Sequence, residues 1–176
     1  MKKLILCIML LFCLTVSGQN NIKEGVYKQT KQGTHTIILI KDGYVSETKF
    51  KDNTYISTRG GIIQPSNQAF IVLVEYNDVN PAEVGKQINM DLKGYSKQKS
   101  IKQDLDALWR ITGRMQGDKM HTIPLADRKT IKILVDGYFQ WIAINPVEKG
   151  FYGTGGGKYT FNDKQYTEEI IFFFKR

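Results

Sequence analysis

Between Thr130 and Phe174 the chain sets four apolar or aromatic runs in a row, each stopped by turn residues. The runs are TIKILV, YFQWIAI, FYGTGGGKYTF and YTEEIIFFF. No 3.6-residue period passes through them, so the stretch reads as strands and turns rather than helix. The same layout occurs upstream, over Thr36–Tyr76. Thr36-Ile37-Ile38-Leu39-Ile40-Lys41-Asp42-Gly43-Tyr44 aligns with Thr130-Ile131-Lys132-Ile133-Leu134-Val135-Asp136-Gly137-Tyr138. Each copy carries an Asp-Gly hairpin signal, which supplies the positive φ values of a tight two-residue turn. Gly43 to Gly60 is 17 residues and Gly137 to Gly155 is 18. Val26–Thr30 precedes the first copy as Leu108–Thr112 precedes the second. These matches predict two half-repeats, about 25–92 and 104–176.

Other strands are expected at Gly25–Thr30, Tyr44–Phe50, Thr54–Thr58, Ala69–Tyr76 and, more weakly, Lys86–Leu92. Pro81–Val84 reads as a single helical turn. Gly94–Gln103 is polar and basic and reads as a connector. Gly113–Asp127 reads as turns, through Gly113, Gly117, Asp118 and Pro124. About ten short strands in a meander would leave two open edges as a flat sheet, and closing them into a barrel removes those edges. Parallel βαβ packing needs long amphipathic helices, and the pattern offers none. The expected fold is therefore all-β, an up-and-down barrel of about 8–10 antiparallel strands.

The amino end has its own signature. Met1-Lys2-Lys3 is followed by an apolar run from Leu4 to Val16 and then by Ser17-Gly18. A short basic segment, an apolar segment of about a dozen residues and small residues before a cut read as a secretory signal peptide. Cleavage is expected after Gly18, giving an exported, periplasmic or extracellular chain of residues 19–176 with no membrane span. Cys7 and Cys13 both lie in the leader, so the exported chain has no disulfide and depends on a hydrophobic core. Losing Lys2 and Lys3 lowers the formal charge from +8 to +6. The remaining basic residues are scattered apart from Lys93–Lys102, which argues against nucleic acid as a partner.

The carboxyl-terminal half resembles bacterial secreted lipocalin-like proteins. The residues that carry the likeness are Leu108–Thr112, Lys132–Leu134, Tyr138-Phe139-Gln140-Trp141, Gly155-Gly156-Gly157-Lys158-Tyr159-Thr160 and Tyr166-Thr167-Glu168. It spans about 65 residues and is faint over the first half. That family's Gly-Lys strand has a counterpart at Val84–Leu92, after the upstream copy. The resemblance implies a small calycin-type barrel, with no enzyme activity and no particular ligand.

Several constellations are weighed against plainer readings. Gly153–Lys158 lacks the Ser or Thr after Lys that a phosphate loop requires and is flanked by strands, so its glycines read as hairpin or bulge positions. His35 and His121 have no ligand-spaced neighbours, and neither a metal nor a cofactor is expected. No Gly-x-Ser-x-Gly elbow marks a nucleophile. Strand alternation places Tyr166, Glu168, Ile170, Phe172 and Phe174 on one face, taken as the barrel interior. An interior carboxylate needs a partner, and Arg110 or Arg114 is the expected cation. Trp141 is expected beside Glu168, with Tyr138 on the opposite face. Trp109, Arg110, Arg114, Trp141, Tyr166 and Glu168 are thus the candidate ligand-binding residues. The expected function is non-catalytic binding of a small, partly apolar ligand inside the barrel. The alternative is a filled barrel acting as a structural or interaction module, through a homodimer or another envelope protein.

Overall fold

A computed structural model describes residues 22–66 and 69–176. The signal-peptide reading lies outside the described residues. The chain is all-β and antiparallel, and the described residues form fourteen strands: β1 Gly25–Lys31, β2 Thr34–Lys41, β3 Tyr44–Lys51, β4 Thr54–Gln64, β5 Phe70–Asn77, β6 Gln87–Met90, β7 Ser96–Lys97, β8 Ala107–Arg110, β9 Gly113–Gln116, β10 Lys119–Thr122, β11 Lys129–Val135, β12 Tyr138–Asn145, β13 Gly150–Asn162 and β14 Gln165–Lys175. One 3₁₀ turn, Pro81–Glu83, sits where the sequence places a helical turn.

The strands do not form one closed barrel. They form a seven-stranded sheet in the order β6-β5-β4-β3-β2-β1-β7, a five-stranded sheet in the order β14-β13-β12-β11-β8, and the separate hairpin β9–β10. That hairpin falls in Gly113–Asp127, which the sequence reads as turns only. The meander breaks after β7, because Gln98–Gln103 forms no ladder and carries the chain from one sheet to the other. Strand alternation names the two faces of each strand but not the partner each face meets. A two-sheet arrangement satisfies the same pattern as a barrel.

The two large sheets pack face to face. Val26, Ile37, Leu39, Tyr44, Phe50 and Tyr76 of the first meet Ile131, Ile133, Val135, Ile142, Ile144, Phe151 and Phe172 of the second in one buried cluster. The space expected to hold a ligand is filled by side chains. At its centre lies a polar seam. Gln140 is 1 % exposed, and Ser46, Thr48, Thr58, Tyr76 and Thr154 are buried around it. Its amide nitrogen donates to the hydroxyls of Thr48 and Thr154, each at 2.9 Å. Its carbonyl accepts from Ser46 at 2.6 Å, and Ser46 accepts from Tyr76 at 2.6 Å. Thr58 donates to the Glu47 carbonyl at 3.0 Å, so the 2.7 Å contact between Thr48 and Thr58 must be donated by Thr48. Thr154 donates to the Trp141 carbonyl at 2.7 Å. Each hydroxyl has one proton, and every proton has an acceptor.

The sheets share one plan. In each, an Asp-Gly pair turns the second strand into the third, with φ near +50° at Asp42 and Asp136 and above +70° at Gly43 and Gly137. Those paired positive angles define a type I′ hairpin. Farther on, each sheet bulges at a glycine pair. Tyr76 opposes Gly60 and Val74 opposes Gly61, leaving Glu75 extra. Phe172 opposes Gly156 and Ile170 opposes Gly157, leaving Ile171 extra. A side chain on the first glycine has no room: a Cβ at Gly60 meets the Tyr76 hydroxyl at 2.6 Å, and one at Gly156 meets the Phe172 ring at 2.5 Å.

Two outcomes test this core. Gln140→Leu keeps the volume but leaves Ser46 with no acceptor and Thr48 and Thr154 with no amide donor. Urea denaturation should show a loss of about 3 kcal/mol, and adding Ser46→Ala, Thr48→Val and Tyr76→Phe, which removes the hydroxyls left without partners, should recover more than half of it. The second test uses alkaline pH. Burial, with Tyr76 and Glu75 nearby, raises the Tyr44 hydroxyl well above its ordinary range. Burial also raises Tyr76, against the side-chain hydrogen bonds it shares with Ser46 and Thr58, which lower it. The unfolded chain releases these protons near pH 10 and the folded chain does not. Stability should therefore be level below that pH and fall above it, by about 1.4 kcal/mol per pH unit for each tyrosine. Tyr76→Phe should reduce that slope.

Candidate functional site

With the inner faces consumed by the core, any site must lie on an outer face. The two outer faces differ. That of the second sheet carries four of the six residues singled out from the sequence. Trp141 opposes Lys132 on β11 and Gly155 on β13, and Trp109 on β8 opposes Lys132 from the other side. Glu168 opposes Tyr159, and Tyr166 opposes Phe161. Glu168 Oε1 accepts from the Tyr166 hydroxyl at 2.5 Å and from Lys132 Nζ. Lys132 also lies over the Tyr166 and Phe139 rings, at 4.9 and 5.2 Å. Tyr138 points the other way, into the core, and its hydroxyl takes a proton from Lys28 at 2.5 Å.

Three expectations are corrected here. Trp141 and Glu168 share an outer face, not a barrel interior. The partner of Glu168 is Lys132. Arg110 instead donates to the Ala126 carbonyl at 2.6 Å, and Arg114 sits on the exposed β9–β10 hairpin, opposite His121. Lys132 stands on the same outer face as Glu168, with β12 and β13 between their strands. The third correction concerns β14, whose alternation does not run through to its end. The bulge at Ile171 leaves Tyr166, Glu168 and Ile170 outside and turns Phe172 and Phe174 inward, while Phe173 joins Trp141 outside with ring centres 5.8 Å apart. One end of this face is packed, with Leu134, Phe139 and Tyr159 buried and Leu105 against them, while the other is open: Trp109, Ile170 and Phe173 are each about half exposed, at 48, 56 and 54 %.

The outer face of the first sheet is concave and roofed. β6 lies on the β5 edge and β7 on the β1 edge, and only Asp91–Tyr95 joins them. Six strand spacings come to about 29 Å, beyond the reach of about 21 Å that the connection has when fully extended. The segment nevertheless turns back on itself, with Tyr95 N donating to the Leu92 carbonyl at 3.0 Å. The sheet must therefore curl to bring its edges together, although β6 and β7 form no ladder. The Gly94 carbonyl is held from below by Gln29 at 2.8 Å.

Under this strap the floor has two zones. One is apolar, built from Tyr27, Ile38, Ile40, Val45, Phe70, Val72 and Met90. The other is charged. Glu47 and Lys49 share a face by alternation, and Arg59 opposes Glu47 across the β3–β4 ladder. Glu47 is only 6 % exposed. Arg59 Nη2 stands 3.3 Å from Glu47 Oε2, and Lys49 Nζ stands 3.8 Å from Oε1. Arg59 Nε is buried and makes no hydrogen bond. Burial raises the Tyr95 hydroxyl, with the Glu47 charge adding to the rise and Arg59 opposing it. The cleft holds about 530 Å³ and is lined by Gln29, Lys31, Thr36, Glu47, Lys49, Arg59, Met90, Asp91, Lys93 and Tyr95, among others.

The sequence reading gave these residues no role. A signal was present: SETK in β3 alternates a carboxylate and a lysine onto one face, and Arg59 directly precedes the glycine pair. Without the β3–β4 register nothing joins them. No family model matches the chain, and comparisons with curated proteins and with solved structures find no match. Among the described residues, no group of three or more His, Cys, Asp or Glu converges as a metal site, and no helix is long and apolar enough to cross a membrane.

Proposed function

We propose that this is an exported, non-catalytic binding protein that takes a small, partly apolar anion in the strapped cleft of the first sheet. The observation that carries the reading is Arg59, whose Nε is buried without an acceptor beside a buried carboxylate in a concave site. Buried donors are rarely left unpaired in folded proteins, and an exception asks for a partner. Glu47 already has Arg59 and Lys49. Lys31 and Lys93 add positive charge, with Asp91 the one other carboxylate. The balance favours an anion. Met90 and the Tyr95 ring offer apolar contact next to these charges. The cleft volume falls within the range of about 300–1,000 Å³ that small-ligand sites occupy. The second sheet also carries a cleft, of about 450 Å³ along Tyr159, Thr160, Thr167 and Glu168, but among the described residues no buried side-chain donor without a partner lies in it. The shared strand plan and matched bulges support reading the two sheets as half-repeats of one unit.

The test is titration calorimetry with straight-chain carboxylates from acetate to octanoate. Affinity should rise with chain length. Arg59→Gln, with Lys93→Gln as a second variant, should weaken octanoate at least tenfold, the scale of one charge-assisted hydrogen bond. Trp141→Ala should leave it unchanged. No binding across the series refutes the assignment. Loss with Trp141→Ala and retention with Arg59→Gln transfers the site to the second sheet.

A further inference from the structure

The second sheet ends on β14, which pairs with β13 alone. The matching edge in the first sheet, Phe70–Leu73 of β5, is covered by β6. On β14 the equivalent edge is open, and its backbone directions can be read. Tyr159 N donates to Gly137 O on the β12 side. In an antiparallel ladder both polar groups of a residue point the same way. Glu168, the partner of Tyr159, therefore turns its N–H and C=O away from β13, as do Tyr166 and Ile170. From the other end, Arg176 N donates to Tyr152 O, so Lys175 and Phe173 also turn outward. The bulge at Ile171 makes this work. Two residues there span one step of β13, so Ile170 and Phe173 are about as far apart as any other outward pair.

We propose that two copies of the chain join β14 to β14, antiparallel about a two-fold axis. Ile170 then opposes Phe173 of the partner subunit, and Glu168 opposes Lys175 of the partner subunit. The register follows from the side chains. With Ile170 opposite itself, Glu168 would lie against Phe173. With Phe173 opposite itself, Ile170 would lie against Lys175. With Ile170 opposite Glu168, the carboxylate again meets an apolar side chain. Only the proposed register matches apolar to apolar and Glu to Lys. It also satisfies the outward N–H and C=O groups, which otherwise leave a long edge open to any strand. The half-exposed Ile170 and Phe173 become covered. The two second sheets merge into one of ten strands. This inference uses the backbone of β14 and does not rest on the ligand reading.

The experiment is cysteine cross-linking with light scattering, in the chain carrying Cys7→Ser and Cys13→Ser, which removes its only native thiols. Cα atoms of a hydrogen-bonded antiparallel pair lie about 5.5 Å apart, within disulfide reach. Chains carrying Ile170→Cys mixed with chains carrying Phe173→Cys should give a cross-linked dimer, and each alone should give little. Lys175 makes no ion pair within its own chain among the described residues, so Lys175→Glu should leave circular dichroism unchanged. It should weaken the dimer at least tenfold by setting carboxylate against Glu168. A monomer at every concentration overturns the proposal. So does a dimer that cross-links Ile170→Cys to itself, or one that is indifferent to Lys175→Glu.

Discussion

Gln140 is the residue on which the arrangement of the two sheets depends. Face-to-face sheets with purely apolar inner surfaces can slide, because apolar contacts are non-directional. Hydrogen bonds are directional, and a buried group without its partner costs about 1–3 kcal/mol. Gln140 donates to β3 and β13 and accepts from β3. It therefore fixes the second sheet against the first at a single position. Tyr76 and Thr58 extend the seam across β4 and β5. At the rim, Lys129 holds Glu75 at 2.6 Å, and Glu75 also accepts from Tyr44 at 2.9 Å. Glu75 can reach both because it is the extra residue of the bulge.

Local chemistry was legible in the sequence, and global pairing was not. The two Asp-Gly turns, the alternating strands and the glycine pairs all stand where their residue types demand. Each is decided within a few positions of chain. The barrel was not decided that way. THTIILIK in β2 is apolar at consecutive positions, which a strand buried on both faces requires. Such a strand is compatible with a barrel and equally with a sheet that curls on one side and packs on the other. The reading of β14 failed for a local reason. Period-two alternation assumes an unbroken ladder, and one extra residue at Ile171 reverses every assignment beyond it. The glycines that permit the bulge lie on β13, so β14 itself gives no warning.

The matched registers show how differently the two outer faces are furnished on one strand plan. Glu47 in the first sheet occupies the position of Trp141 in the second, since each is two residues along from the third-strand residue beside the bulge. Arg59 correspondingly matches Gly155, and Ile38 matches Lys132. The exchange is paired in each case. Where the third strand has a carboxylate, the fourth has its cation. Where the third strand has an indole, the fourth has a glycine, and a Cβ there meets Trp141 Nε1 at 2.6 Å. The indole needs that space to lie flat on the sheet. Changing one member alone would strand a charge or create a clash.

The inner positions of the same strands do not differ in this way. Ser46 matches Gln140 and Tyr76 matches Phe172, but all four still serve the junction between sheets. An inner residue must satisfy two sheets at once, so a change there needs compensation across the seam. An outer residue answers only to its cross-strand neighbour. That difference in the number of partners explains why a charged cleft and an aromatic edge can occupy opposite sides of one core. It also explains why the outer positions, and not the core, are where the function of this chain is to be sought.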